Sequence, residues 1–272
     1  MSRISASFAT LREQNKTALI TYITAGDPAA GDTVELMRRL VNSGADLIEL
    51  GVPFSDPMAD GPVIQAAYER ALASGITLTD VLDQVRRFRE HDDRTPVVLM
   101  GYANPLEAMG YAEFAEAAAD AGVDGVLVVD MPPEESSQLK SALSDRELDF
   151  IMLIAPTTIR PRLLRIREMA SGFVYYVSLK GVTGSHSLNT DDVRKHLAEL
   201  KQIFDLPVGV GFGIADAKSA VAVSEGADAV IIGSALVDRL AKRKQENDTA
   251  EDFLVTVRQA LDNKKIPGVS AV

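Results

Sequence analysis

Eight short apolar runs punctuate the sequence: Ala18–Ala25, Leu47–Val52, Pro96–Tyr102, Val126–Val129, Phe150–Ala155, Val174–Leu179, Val208–Phe212 and Ala229–Ile232. Each is too short for a buried helix and rich in Val, Ile, Leu or Tyr, which is strand composition. Their near-continuous apolar character suits parallel strands covered on both faces. The segments between them have helical spacing. After Asp32 the apolar positions are Val34, Met37, Leu40 and Val41, with Gly44 as a stop. After Asn189 they are Val193, Leu197, Leu200 and Phe204. Gly61-Pro62 opens a further helix, with Pro62 at the position where a missing N–H costs nothing.

A short repeat marks the units. Ser43-Gly44-Ala45-Asp46, Ala121-Gly122-Val123-Asp124 and Glu225-Gly226-Ala227-Asp228 each join a helix exit to an apolar run. They recur at a step of about 30 residues per unit, the size of a strand–helix pair. The pattern predicts an α/β fold, a (β/α)8 TIM barrel with an extra N-terminal helix. That helix lies in Met1–Asn15, where Ile4, Phe8 and Leu11 share a face. No linker-like tract divides the chain, so residues 1–272 are expected to form one domain. A doubly wound open sheet is the structural competitor, but it would use fewer strands or two lobes. In a barrel the active site lies at the C-terminal ends of the strands, and chemistry is sought there.

Composition narrows the function. Lys and Arg number 28 against 39 Asp and Glu, a net charge of −11, which is a poor match to nucleic acid or anionic lipid. The absence of Cys removes disulfides, thiolate metal sites and a cysteine nucleophile. His91, His186 and His196 are scattered without metal-binding or triad spacing. The N-terminus lacks the apolar core of a signal peptide, and no run approaches the roughly 18 residues of a membrane span. A soluble, cytoplasmic protein is expected.

The densest polar cluster follows the second run. Glu49 sits within Leu47-Ile48-Glu49-Leu50, where a carboxyl would point into an apolar barrel mouth. Desolvation there raises its pKa and suits general acid–base work; a structural Glu paired with a distant Lys or Arg is the alternative. Asp60 precedes Gly61-Pro62, where helix capping is the commoner use of Asp and a functional role the alternative. Asp56 reads as a turn residue. Glycines follow the last three runs: Gly181-Val182-Thr183-Gly184, Gly211-Phe212-Gly213 and Gly233-Ser234. With almost no Lys or Arg beside them, backbone N–H groups would have to hold a phosphate. Tyr175 and Tyr176 alternate, so one faces the barrel interior and the other the helices. Lys180 borders a glycine loop rather than lying inside a strand, which disfavours a Schiff-base lysine.

These residues resemble a known family. Ile48-Glu49-Leu50-Gly51-Val52-Pro53-Phe54-Ser55-Asp56-Pro57-Met58-Ala59-Asp60-Gly61-Pro62 is similar to the signature of tryptophan synthase alpha subunits. Tyr22-Ile23-Thr24-Ala25-Gly26-Asp27-Pro28, Tyr175–Ser178 with Gly181–Gly184, and Gly211–Ile214 match further family segments in order. The resemblance implies aldol-type cleavage of indole-3-glycerol phosphate to indole and glyceraldehyde 3-phosphate. It implies Glu49 as the acid–base group and Asp60 as acceptor of the indole N–H. It also implies Gly184, Gly213, Gly233 and Ser234 at the phosphate, and Tyr175 near the glycerol phosphate. Tyr22, Met100, Leu127, Thr183 and Phe212 would line the indole pocket. The family commonly has Phe at position 22 and Leu at position 100, so the Tyr22 hydroxyl needs a partner. No cofactor is implied in this subunit. Pyridoxal phosphate is expected in a partner beta subunit, within an alpha2-beta2 heterotetramer, with loops Pro53–Asp60 and Lys180–Asn189 communicating or closing. Another phosphate-binding barrel lyase or isomerase, and a non-catalytic activator of the beta subunit, are the alternative readings.

Overall fold

The computed structural model describes residues 2–178, 190–211, 213–242 and 249–264. Eight parallel strands close on themselves in sequence order. They are β1 (Ala18–Thr24), β2 (Leu47–Gly51), β3 (Val97–Gly101), β4 (Gly125–Val128), β5 (Asp149–Ile154), β6 (Val174–Val177), β7 (Val208–Gly211) and β8 (Ala229–Ile232). Closure comes from pairing of β8 with β1, Ala229 opposite Ala18 and Ile231 opposite Ile20. The expected (β/α)8 barrel is therefore the observed fold, and the open sheet is not.

Helices surround it: α1 (Arg3–Glu13), α2 (Thr33–Asn42), α3 (Pro62–Ala73), α4 (Leu78–Arg89), α5 (Ala103–Met109), α6 (Tyr111–Ala121) and α7 (Ser137–Ser144). They continue with α8 (Arg160–Met169), α9 (Thr190–Ile203), α10 (Ala217–Ser224), α11 (Ser234–Ala241) and α12 (Ala250–Asp262). The expectation of one helix per unit understates this. Helices α3, α5 and α11 are additional, each following the C-terminal end of a strand and so building up the mouth.

Strand alternation divides the apolar residues into two cores. Outward residues such as Leu19, Ile48, Leu99 and Val230 pack under the helices. Inward residues Ala18, Ile20, Leu47, Val98, Leu127, Ile151 and Phe173 fill the barrel. The extra N-terminal helix joins the inner set. Ile4, Phe8 and Leu11 are buried against it, and the Phe8 ring tilts onto Phe173 at 5.8 Å. Helix α1 thus plugs the N-terminal end of the barrel. Gly125 makes room for this plug, since a Cβ there would lie 2.6 Å from Ile151 Cδ1 and 3.2 Å from Ile4 Cδ1.

The repeat seen in the sequence has a specific task. Gly44, Gly122 and Gly226 adopt φ of 103°, 84° and 86°, which ends a helix where other residues would be strained. The Asp two residues later then makes a reciprocal bond to the preceding strand. Asp46 N–H donates to the Leu19 carbonyl at 2.8 Å, and its carboxylate accepts from Leu19 N–H at 2.7 Å. Asp124 does the same with Val97, at 2.9 and 2.8 Å, and Asp228 with Val208, at 2.9 and 2.9 Å. The fourth member was not legible, because it is a serine. Ser171 N–H donates to the Phe150 carbonyl at 2.9 Å, and Ser171 Oγ accepts from Phe150 N–H at 2.9 Å. Each even-numbered strand therefore caps the odd-numbered strand before it. This satisfies a backbone donor that the rim would otherwise leave unpaired.

Each aspartate also meets a cation. Asp124 is held by Arg89 at 2.6 Å and Arg3 at 2.9 Å, with side-chain exposures of 4% for Asp124 and 10% for Arg89. Asp228 pairs with Lys201, which is 41% exposed. Breaking a buried pair strands a charge, at roughly 3–5 kcal/mol, whereas an exposed pair contributes about 0–1 kcal/mol. Asp124→Ala is expected to lower the melting temperature by roughly 10 °C, several times the loss from Asp228→Ala. Thermal melts of both variants check the ranking; equal losses would contradict it.

Candidate active site

Chemistry-bearing residues converge at the C-terminal end of the barrel. Tyr22 and Glu49 are register partners on β1 and β2, and Glu49 is also opposite Val98 on β3. Strand alternation turns all three inward. Glu49 has no exposed surface, and neither of its carboxyl oxygens has a hydrogen-bond partner. No Lys or Arg pairs with it among the described residues. Burial alone pushes its carboxyl up to about 8. Near neutral pH it therefore holds a proton that it can give.

Asp60 ends the β2–α3 loop. It does not cap α3, whose N-cap is Gly61 without a side-chain bond. Its Oδ2 instead accepts from the Tyr102 hydroxyl at 2.7 Å. Burial raises its carboxyl above the usual range, and the Tyr102 bond opposes that rise. Oδ1 has no partner among the described residues. The Tyr102 hydroxyl also accepts from Ala59 N–H at 3.0 Å, and its ring stacks on Phe54 at 5.1 Å. Gln65 Nε2 donates to the Asp60 carbonyl at 2.7 Å. The loop is thus held by one tyrosine after β3 and one glutamine on α3. Tyr102 was missed as a site residue; its place at the end of the third apolar run was the available signal. Asp56 is exposed and accepts from Ser55 Oγ at 2.6 Å, as befits a turn residue.

Of the remaining expected residues, Tyr22, Met100, Leu127 and Tyr175 lie with the inward-facing side chains. The Tyr22 hydroxyl finds the partner it needed: it donates to the Tyr68 hydroxyl at 3.1 Å and lies 3.3 Å from Thr24 Oγ1. Its tip occupies the space that a side chain at Gly51 would fill. Burial holds the Tyr22 phenol well above its ordinary value, so it remains a neutral wall. Leu127 is fully buried beside Ile151, while Met100, Val129, Leu153 and Tyr175 are only partly covered. These half-covered inward residues mark the concave mouth. Tyr175 faces inward, its hydroxyl in the space left by Gly211, and Tyr176 faces outward against the His196 ring at 5.8 Å. Burial, and then the Glu49 and Asp60 carboxylates, hold the Tyr175 phenol well above its usual value.

Gly233 precedes α11, with Ser234 as its first residue. A Cβ at Gly233 would lie 3.5 Å from Tyr22 Cβ, so this helix start adjoins the Tyr22 wall. Leu236 and Val237 N–H groups are taken by the Gly233 carbonyl, which leaves the amides before them directed outward from the helix end. Gly213, after β7, has φ 75°. Neither 213–217 nor 232–235 contains Lys or Arg. Thr183, Gly184 and Phe212, with Lys180 and the Lys180–Asn189 loop, lie outside the described residues.

A bidentate pair, buried at Asp27 and exposed at Arg70, braces the same end. Arg70 on α3 binds Asp27 at 2.6 and 3.0 Å, tying the β1–α2 loop to the helix that follows Asp60. Among the described residues no His, Cys, Asp or Glu cluster has the arrangement of a metal site, and no helix is long and apolar enough to cross a membrane.

Comparison with known proteins agrees with this architecture over the full chain. The family model for the tryptophan synthase alpha chain matches residues 8–265. A tryptophan synthase alpha chain of Marinobacter nauticus is 56% identical over 97% of this chain and 99% of its own length. One from Cupriavidus pinatubonensis is 58% identical, covering 96% and 100%. The crystal structure of tryptophan synthase subunit alpha from Legionella pneumophila superposes with a TM-score of 0.90 at 44% identity, covering 97% and 100%. A chain of the Mycobacterium tuberculosis tryptophan synthase in an aminoacrylate-bound form gives 0.84 at 34%, covering 96% and 99%. A closed barrel with a proton-holding carboxyl at its mouth and this extent of identity have one explanation: the chain belongs to the tryptophan synthase alpha chain family, the lyases that cleave indole-3-glycerol phosphate to indole and glyceraldehyde 3-phosphate.

Proposed function

We propose that Glu49 moves both protons of this cleavage. The observation that carries the reading is the pair of buried, unpartnered carboxyl oxygens on an inward strand position. Indole leaves poorly until C3 is protonated. A protonated Glu49 supplies that proton and, once ionised, collects the proton of the hydroxyl on the carbon attached to C3. The C3–carbon bond breaks as that hydroxyl becomes the aldehyde, and the proton count closes on one residue. Asp60 accepts the indole N–H through Oδ1 and stabilises the cationic ring, with Tyr102 fixing its Oδ2. Tyr22, Met100 and Leu127, with Thr183 and Phe212, form the apolar ring pocket, and Tyr175 lies beside the glycerol chain. Gly213, Gly233 and Ser234, with Gly184, hold the phosphate through backbone donors and the α11 start, which suits loops without cations. The chain acts as a single barrel domain in the cytoplasm and carries no cofactor; the pyridoxal phosphate of the complex sits in a beta partner, in an alpha2-beta2 assembly.

The test is release of indole from indole-3-glycerol phosphate by the purified chain, with and without a beta subunit. Release that rises with the partner supports the reading. No release in either condition from folded protein overturns it.

Glu49→Gln is expected to lower kcat by roughly 10²–10⁴-fold with little change in KM. The same variant has a stability signature. Folded Glu49 keeps its proton to about pH 8, whereas the unfolded residue releases it near 4.5. Between those values the unfolded chain binds fewer protons, so wild-type stability falls as pH rises through that window. Gln escapes this loss, so the melting temperature of Glu49→Gln relative to wild type should climb between pH 5 and pH 9. A flat difference would remove Glu49 as a buried acid.

Because the proton donor is the acid form, kcat/KM should be level from neutrality to pH 8 and fall about ten-fold per unit above it, with any loss at low pH belonging to protonation of Asp60. A profile that rises through pH 8 would assign the first step to a base instead.

The loop carrying Asp60 offers a docking edge for the beta partner. Met58, beside Phe54 and Pro57, is 86% exposed, an unusual setting for a large apolar side chain. Met58→Asp should weaken partner affinity by about ten-fold or more while leaving the isolated chain's cleavage rate unchanged. Analytical ultracentrifugation and indole release report the two quantities separately.

A further inference from the structure

The barrel has a second concavity at the end opposite the catalytic mouth. A cavity of about 850 Å³ opens beside the plug helix α1, among α9, the α10–β8 turn and Lys264, just beyond α12. Phe8 and Leu11 of α1, Ala198 of α9 and Val221 of α10 supply apolar walls. The rim is cationic, in a chain whose net charge is −11. Two of the rim cations are already balanced: Arg194 pairs with Glu225, and Lys201 with Asp228. Arg12, Lys16 and Lys264 make no direct ion pair among the described residues, although Asp46 lies in the field of Lys16 and Glu225 in that of Lys264.

Lys264 is the most constrained of these. It is half-buried, and Nζ donates to Thr17 Oγ1 at 2.5 Å and Ser224 Oγ at 3.1 Å. A third contact, to the Ser224 carbonyl, is long at 3.4 Å. An ammonium with three donors is thus held over the cavity with one donor poorly used. Burial and the nearby Arg258 and Lys201 hold it below the usual lysine range, against the opposing pull of Glu225. A bound anion would accept the donor that the weak third bond leaves poorly used.

We propose that this cavity binds a small amphiphilic monoanion: an apolar, aromatic or branched body against Phe8, Leu11 and Val221, with one carboxylate on Lys264. The volume lies within the roughly 300–1,000 Å³ of small-molecule sites. Glu225 and Asp228 on the same rim disfavour a dianion such as a phosphate monoester. Arg12 and Lys16 draw the anion in from solvent. The ligand would touch the first helix and Lys264 just beyond the last, and so stabilise the closed chain by mass action without contacting the catalytic mouth.

The test is titration of 2-naphthoate into the full-length chain, followed by ¹H–¹⁵N chemical-shift mapping, with 2-naphthamide as the neutral isostere. Saturable binding is expected, with shifts at Asn15–Thr17 and Gly226–Asp228. Charge-assisted hydrogen bonds contribute enough that the amide, and 2-naphthoate with Lys264→Met, should each bind about ten-fold or more weakly. Arg12→Ala alters an exposed side chain that the fold does not need, and should weaken 2-naphthoate several-fold, as expected for loss of one unpaired cation. Indole release by Lys264→Met should match wild type. The proposal is overturned by absence of saturable binding, by equal affinity for acid and amide, or by shifts confined to Glu49, Tyr175 and their neighbours.

Discussion

Register at the N-terminal rim is the constraint on which everything above it rests. A parallel barrel closes only at one stagger, and a one-residue slip would exchange its inner and outer faces. Asp46, Asp124, Ser171 and Asp228 each clamp one strand to its predecessor through a two-way bond, so four of the eight strand pairs are pinned at their first residues. With that stagger set, alternation carries Tyr22, Glu49, Met100 and Tyr175 inward, toward the opposite end. The chemistry at the mouth is a downstream result of hydrogen bonds at the base.

The second organising fact is a deliberate imperfection. Buried polar groups in folded proteins are paired, and Glu49 is not. A glutamine or leucine would fit an apolar barrel more comfortably. The carboxyl is tolerated because it holds its proton, and a neutral acid costs far less to bury than a carboxylate. The feature that weakens the fold at high pH is the feature that makes the residue an acid near neutrality. The surroundings are correspondingly well satisfied: Tyr22 has Tyr68 and Thr24, Asp60 has Tyr102, and Asp27 has Arg70.

The barrel was legible because its signal is periodic and local. Apolar runs, helical spacing and the Gly–x–Asp repeat all lie within single units, and the spacing of Ile4, Phe8 and Leu11 marks the helix α1, though not its place at the barrel end. The inward position of Glu49 was equally local, being a matter of alternation. Asp60 was ambiguous for the opposite reason. Capping and binding differ only in where the carboxylate points, and that is decided by Tyr102, 42 residues further on. Of the extra helices, α3 was announced by Gly61-Pro62, whereas α5 escaped the one-helix-per-unit reading because it belongs to the mouth and not to the repeat. Ser171 escaped because its glycine follows it instead of preceding it, so the same bond is made by a different local sequence. The cavity under the plug helix draws on residues from both ends of the chain, which no window of sequence brings together.

The Asp60–Tyr102 bond has a consequence for how the mouth responds to its surroundings. One hydroxyl bonds both the carboxylate and the backbone of the loop that carries it, so loop position and carboxylate affinity for protons are two readings of one equilibrium. Drawing the loop away from Tyr102 removes the bond that favours the ionised form, and proton uptake by Asp60 in turn weakens the loop's hold on the tyrosine. Whatever presses on this loop from outside therefore acts on the charge inside, with no need for a longer route through the protein.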